Sequence, residues 1–293
     1  VTNMNGWTNH ATSQRIRSTM DYVDDHFYVD HPRFLEQSWR LPSRCPNTSP
    51  VAGGANGGRH LAFTRLFDKP FTVSEYNYSA PGRYRGVGGI LTGALGAIQG
   101  WDAIWRFAYS HNRDNLFQPG KLDYFNMASD PLGQAAERAS ICLFLRGDMR
   151  AAPHSASITM TEADFRRVPA PIPGLAPNWH WAAWLTRVGT RVVDDPARST
   201  SHDIVLPLGW ATGAGDSADA RAVRTDDPYQ IGQEELVKLF RQRGILAAGN
   251  PTDPSKNVFQ CETGEITIDG PQDCMTLDTP RTAGGFAPAG ESI

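Results

Sequence analysis

Glu75 closes the segment Lys69-Pro-Phe-Thr-Val-Ser-Glu-Tyr-Asn77, a short apolar run whose last residues turn abruptly polar. The pattern puts a carboxylate at the carboxyl end of an expected strand. That is where parallel α/β sheets, and above all the eight-stranded barrel, carry their catalytic groups. A carboxylate so placed can attack an electrophilic carbon or take up a proton. Taken alone, a Glu in this position is more often a loop cap on the surface, so its companions matter. The expected strand before it ends in His26-Phe27-Tyr28, and the two-residue period sets His26 and Tyr28 on one face. A Tyr hydroxyl can donate to a carboxylate and hold it ionised and aimed. The expected strand after it carries Trp105 and ends near Ser110-His111. The face of a Trp ring suits the apolar face of a sugar. Each companion also has an ordinary reading: a satisfied core histidine for His26, strand packing for Trp105.

The elements that must hold these residues follow from local pattern. Residues 19–32 read as a strand built on Tyr22, Val23, Phe27, Tyr28 and Val29, ended by Pro32. Asp24, Asp25, His26 and His31 lie at its polar tip; cation binding is possible chemistry there, and solvation the commoner state. Residues 40–60, rich in Pro, Gly, Ser and Asn, form a long loop of the functional type. Val87–Ile98 is a helix of small residues that suits close packing. Residues 101–111 are a further aromatic strand. Asp130-Pro131 is an N-cap with Pro at the first helical position, leading into a helix over Leu132–Leu145 with Cys142 inside it. The alternation of strand and helix is that of a parallel sheet or barrel.

After about residue 150 the texture changes. Ser157–Thr161, Arg191–Val193 and Asp203–Leu208 look like short strands between Pro- and Gly-rich loops. Glu234–Arg243 is one short helix. Val258–Cys261, Glu265–Ile268 and Cys274–Leu277 are closely spaced strands with turns at Thr263-Gly264 and Asp269-Gly270. This predicts an all-β module, a β-sandwich or similar, packed against the first part. Residues 1–150 and 151–293 are therefore expected to be two domains.

Three segments together, His26-x-Tyr28, Pro70-Phe-Thr-Val-Ser-Glu75-Tyr-Asn77 and Trp101-x-x-x-Trp105, resemble strands six, seven and eight of the retaining glycoside hydrolases built on the clan-A (β/α)8 barrel. The resemblance spans roughly residues 1–150. More loosely, the stretch from Thr263-Gly-Glu-Ile through Asp278-Thr-Pro-Arg281 is similar to the β-rich domain that follows some of these barrels. The resemblance implies an α/β fold: the carboxyl-terminal half of a TIM barrel followed by a β-sandwich-like domain. It implies Glu75 as the nucleophile, Tyr28 orienting it, and His26, Asn77 and Trp105 binding sugar hydroxyls or a ring face. It implies an oligosaccharide or polysaccharide substrate and neither metal nor organic cofactor. One feature departs from the family pattern. The family's acid/base is a Glu following an Asn on strand four, and this chain contains no Asn-Glu pair. Met4-Asn5-Gly6-Trp7 looks like the end of strand five, which places strands one to four, and the acid/base, upstream of Val1. Glu36, Asp24 and Asp25 have nothing in their context to recommend them as substitutes.

Composition limits the alternatives. The 293 residues are 40% hydrophobic and 10% aromatic, with 28 Gly and 21 Pro, too apolar for disorder and too interrupted for a helical bundle. Lys plus Arg (28) nearly balance Asp plus Glu (31), which leaves no basic footprint for nucleic acid. No apolar run reaches the length of a membrane helix. The four cysteines have no metal-type spacing; Cys261 and Cys274 flank an expected hairpin, where a disulfide and two thiols are both consistent with the pattern. Neither a G-x-S-x-G elbow nor a dinucleotide or phosphate loop is present, and Arg85-Gly-Val-Gly-Gly fails both glycine fingerprints. Trp179, Trp181 and Trp184 suit a sugar platform or core packing. No signal-peptide pattern is visible; an extracellular or periplasmic setting follows only from a polysaccharide substrate. A non-catalytic carbohydrate-binding or scaffold protein on the same fold is the alternative from another functional class, and an unrelated α/β protein is the third.

Overall fold

The computed structural model describes residues 1–2, 10–118, 122–166, 174–194, 203–206 and 233–288. The expected end of strand five, Met4 to Trp7, lies outside them. The described residues form a mixed α/β fold with two parallel sheets and two antiparallel ones, and no closed barrel.

The first parallel sheet has the order β1-β4-β5, with β1 Val23–Val29, β4 Phe71–Tyr78 and β5 Ala103–Arg106. Parallel neighbours need long crossovers, and the chain supplies them. The stretch from β1 to β4 runs through the two-residue strands β2 (Arg33–Phe34) and β3 (Ser43–Arg44) and a 3-10 turn at Arg59–Thr64. The crossover from β4 to β5 is the helix Gly88–Gln99. One face of the sheet is apolar: Val23, Phe27, Phe71, Val73, Tyr76 and Tyr78 are all buried. The small residues of Gly88–Gln99 permit close helix packing, as expected. A Cβ on Gly89 would lie 1.7 Å from the Ala136 carbonyl oxygen, and one on Gly93 would lie 2.7 Å from the Ser140 Cα. The partner helix, Pro131–Ser140, starts as expected: the Asp130 side chain accepts from the Leu132 N–H and Pro131 is the first helical residue. It continues as a π turn over Ile141–Leu145, where Cys142 is half-buried.

Residues 155–206 differ from expectation. Instead of antiparallel sandwich strands they form a second parallel sheet, order β7-β6-β8, from β6 Ser155–Thr161, β7 Arg187–Val193 and β8 Ile204–Leu206. Among its described residues the crossover from β6 to β7 has no amphipathic α-helix of ordinary length to announce it. It holds one helical turn, Glu162–Arg166, and the 3-10 segment Pro177–Trp184. The expected closely spaced antiparallel strands are present further on, as the four-stranded sheet β12-β11-β10-β9: Val258–Gln260 (β9), Ile266–Asp269 (β10), Cys274–Asp278 (β11) and Ala283–Phe286 (β12). The Thr263-Gly264 turn sits between β9 and β10, with Gly264 at a left-handed φ of 77°. The short helix runs from Gln233 to Gln242.

A single apolar core joins these parts; it includes Phe71, Leu91, Ile158, Trp184, Val188, Phe240 and Ile268. Polar side chains stitch it across residue 150. Gln99 is fully buried; its amide donates to the carbonyls of Ala183 and Thr186 at 2.7 Å, and its oxygen accepts from the Val188 N–H at 2.9 Å. Trp184 donates to the Ala55 carbonyl at 3.0 Å. Trp179, Trp181 and Trp184 are 3%, 4% and 0% exposed, so they are core residues and not a sugar platform. None of the four cysteines forms a disulfide.

Candidate active site

The register of β4 is broken where Glu75 sits. Thr72 pairs with Asp24 and Glu75 with His26, so three steps along β4 match two along β1. The same happens against β5, where Val73 pairs with Ile104 and Tyr76 with Arg106. One extra residue in the central strand is a bulge, a device that re-aims side chains beside binding sites. Asp24 fixes it: its Oδ1 accepts from the Ser74 N–H at 2.9 Å and the Thr72 hydroxyl at 2.6 Å, and its Oδ2 from the Ser74 hydroxyl at 2.6 Å.

Past the bulge, the Tyr28 hydroxyl donates to Glu75 Oε2 at 2.5 Å. His26 Nδ1 lies 3.6 Å from the same oxygen, while its Nε2 is 2.8 Å from the Ser74 hydroxyl and 3.2 Å from Asp24 Oδ2. The Ser74 hydroxyl already donates to Asp24, so it accepts from His26, and the Nε2 proton faces Ser74 and Asp24. Glu75 keeps a third of its side chain exposed. The cluster is therefore a carboxylate gripped on one oxygen and open to an approaching molecule on the other side.

Electrostatics agree with that arrangement. Burial, then the hydrogen bond and charge of Glu75, raise the Tyr28 phenol far above its ordinary value, so it stays a donor. Burial opposes an imidazolium at His26. The Asp24 hydrogen bond and the charges of Glu75, Asp24 and Asp25 outweigh it, and the His26 pKa is raised. Asp24 is the reverse: burial pushes its carboxyl up, but hydrogen bonds from His26, Ser74 and Thr72 carry it below its ordinary value.

The expected residues do not all meet. Glu75, Tyr28 and His26 form one cluster at adjacent parallel strands. Trp105 is 55% exposed and borders an open cavity of about 640 Å³ together with Asp24, Thr72 and Ser74. Its ring is thus on the polar, accessible side of the sheet. Asn77 points elsewhere. It is 1% exposed; its amide donates to the carbonyls of Phe107 and Phe125, and its oxygen accepts from Arg106 at 3.1 Å. With the amide so committed, Asn77 fixes the backbone after β5 and offers nothing to a sugar hydroxyl.

The strand tip of β1 also corrects the expectation of solvated carboxylates. Asp24 and Asp25 are each 2% exposed, and Asp25 faces the buried Arg17 guanidinium at 3.5 Å. Among the described residues no cluster of His, Cys, Asp and Glu could hold a metal ion. The site residues missed by the sequence reading are Ser74 and Asp24 as the pins of the bulge, and Phe125. Phe125 packs its ring 5.2 Å from Tyr28 and 5.9 Å from Phe107. Asp24, Asp25 and His26 as consecutive polar residues inside a β pattern were the visible signal, since three such residues in a buried strand need partners.

The chain matches no protein-family model, no curated protein and no solved structure. A carboxylate beside a strand bulge, held by a tyrosine and partly exposed, can add to an electrophilic carbon that reaches it.

Proposed function

We propose that the chain carries the nucleophile side of a retaining glycoside hydrolase, with β1, β4 and β5 standing for strands six, seven and eight of a (β/α)8 barrel. The observation that carries this reading is the Tyr28–Glu75 hydrogen bond in the carboxyl-terminal halves of adjacent parallel strands. In a retaining mechanism the Glu75 carboxylate attacks the anomeric carbon, the glycosidic C–O bond breaks, and a glycosyl ester forms; water then cleaves that ester. Tyr28 keeps Glu75 aimed and its neutral O–H leaves the carboxylate its charge. His26, when protonated, adds a positively charged second partner to the neutral Tyr28 donor, and Trp105 supports a sugar face. The proton donor for the leaving oxygen is assigned to no residue of this chain.

The test is chosen to be independent of that donor. A dinitrophenyl 2-deoxy-2-fluoroglycoside carries a leaving group that departs without protonation, while its fluorine slows hydrolysis of the glycosyl ester. Incubation with a panel of such glycosides, followed by peptide mass spectrometry, is expected to show one sugar attached to Glu75. Labelling of another carboxylate, or of none across the panel, would overturn the reading.

A further inference from the structure

A second feature lies beside the site and says what kind of sugar reaches it. The β2–β3 ribbon sets Arg33 directly opposite Arg44 and Phe34 opposite Ser43. Phe34 and Ser43 turn to Tyr124: the Phe34 ring meets it edge-on at 5.6 Å, and the Ser43 hydroxyl is 2.8 Å from its hydroxyl. Arg33 and Arg44 are left as an opposed pair of like charges, both exposed, and neither has an ion pair or side-chain hydrogen bond among the described residues. Like charges directly opposite each other weaken a ribbon, and an anion held between them removes the penalty. Arg40, also exposed, adds a third guanidinium on the same excursion.

Trp39 lies in the turn that joins the two arginine-bearing strands. It is 62% exposed and held at a left-handed φ of 63°, a conformation that costs a bulky residue energy and tends to occur where a ligand is clamped. Its ring packs 5.0 Å from Phe34 and 6.0 Å from Phe125, and Phe125 in turn touches Tyr28. An unbroken aromatic path thus leads from the partner of Glu75 to Trp39. Trp39, Leu41, Arg44, Pro81 and Tyr124 line a cavity of about 430 Å³. Asp123 borders it too, but both its oxygens are engaged in its own loop, by the Tyr124 N–H and the Asn126 amide. Of the other acidic side chains nearby, Glu36 is exposed on the ribbon's excursion, and Asp30, whose charge reaches Cys45 in the cavity wall, accepts from the Asn47 N–H.

We propose that the β2–β3 ribbon is a subsite for an acidic sugar, so that the substrate is a polysaccharide bearing carboxylate or sulfate groups. One sugar face rests on Trp39 while Arg44, with Arg33 opposite, grips the anionic group. A guanidinium fits this role because its planar fork pairs two oxygens at once. The inference rests on reading Glu75 as part of a glycoside site.

The experiment titrates the full chain with three hexasaccharides at low and at high salt: a neutral one from agarose, a sulfated one from κ-carrageenan and a carboxylated one from polygalacturonate. At least one acidic ligand is expected to bind about tenfold or more tightly than the neutral one, with the advantage shrinking at high salt. The sulfated and carboxylated arms identify the group recognised. Arg44→Ala should remove most of the advantage and the Arg33→Ala/Arg44→Ala pair all of it, without lowering the thermal midpoint, because an opposed pair of like charges is relieved. Trp39→Ala should weaken the acidic ligand and keep its salt dependence. Equal affinity for acidic and neutral ligands, absence of binding by both acidic ligands, or a preference that survives the double arginine variant would each overturn the subsite. Glu75→Gln should retain the acidic preference. If that preference holds while Glu75 takes no label, the hydrolase reading falls and the subsite stands; a labelled Glu75 without the preference gives the reverse.

Discussion

The two parallel sheets have the same number of strands and the same sense, yet they are built for different ends. In β7-β6-β8 the register runs without a break from Ser155–Arg187 to Thr161–Val193, and the central strand is buried along most of its length. In β1-β4-β5 the register breaks against both neighbours at one place, and the residues beyond the break are a carboxylate, its tyrosine and a histidine. Regular pairing over a sealed strand serves the core. A bulge held by an internal carboxylate spends ladder hydrogen bonds to aim a side chain outward. The contrast separates a scaffold from a site without any appeal to a bound ligand.

The contrast can be broken by one substitution in each central strand. Glu75→Gln should abolish labelling by the fluoroglycosides while moving stability by no more than about 1 kcal/mol, since the side chain is partly exposed and the amide oxygen can still accept from Tyr28. Ile158→Ala, in a side chain 1% exposed, should do the opposite. A cavity of that kind costs about 2–5 kcal/mol in urea unfolding, and the protein that remains folded should label at Glu75 at the ordinary rate. If Glu75→Gln unfolds the protein, or Ile158→Ala removes the label from folded protein, the division between site and scaffold is wrong.

The histidines sharpen the same comparison. His180 belongs to the crossover between β6 and β7, 6.0 Å from His60. Burial, with the nearby charges of His60 and Arg59, holds its pKa down to about 4 against the pull of the Leu175 carbonyl. A base with a depressed folded pKa binds its proton more readily in the unfolded chain. Stability is therefore full above the ordinary value near 6.5 and is lost as the pH falls toward 4, by up to about 3 kcal/mol. His180→Gln should flatten that acid limb in urea titrations between those values. An acid limb unchanged by the substitution would move the depressed group elsewhere.

Next in size is Tyr28→Phe. The ring keeps its contacts with Phe125, Phe107 and His31, so the fold should hold while Glu75 loses its donor. A hydrogen bond to a charged group at a partly exposed position contributes about 1.5 kcal/mol, or roughly a tenfold drop in labelling rate. A rate unchanged by the substitution would reduce Tyr28 to packing.

How far the sequence disclosed all this follows the same division. The first sheet was legible because its helical crossover, Gly88–Gln99, and the capped helix from Pro131 carry strong local signals, and because apolar strands ending in polar residues mark the open end of a sheet. The second reads as antiparallel because the described part of its crossover is one helical turn and a Trp-rich 3-10 segment, which have no helical period to betray a parallel connection. Within the site, the period of two placed His26 and Tyr28 on one face correctly. The resemblance misjudged Asn77, because the identity of a hydrogen-bond partner 30 or 48 residues away, Phe107 or Phe125, is a tertiary fact. The bulge at Ser74 was equally invisible: the strand pattern alone does not show which residue is the extra one until both neighbours are in place.

The smallest expected effect concerns His26, and its sign is opposite to that of His180. The folded state raises the His26 pKa, because Asp24 and Glu75 favour the imidazolium more than burial opposes it. A base with a raised folded pKa contributes stability that is fully present below its unfolded value near 6.5 and is lost as the pH rises through the folded one. The wild-type protein should therefore lose some stability on the alkaline side of 6.5, and His26→Gln should remove that slope while leaving the acid limb of His180 intact. Labelling should carry the same signature, since an imidazolium 3.6 Å from Glu75 steadies the ionised carboxylate and its loss leaves Tyr28 as the remaining partner at that oxygen. Urea titrations of the wild type, His26→Gln and His180→Gln across both limbs test this with one set of measurements. A slope above pH 6.5 that persists in His26→Gln would separate the histidine from Glu75 and leave the tyrosine as the group that aims it.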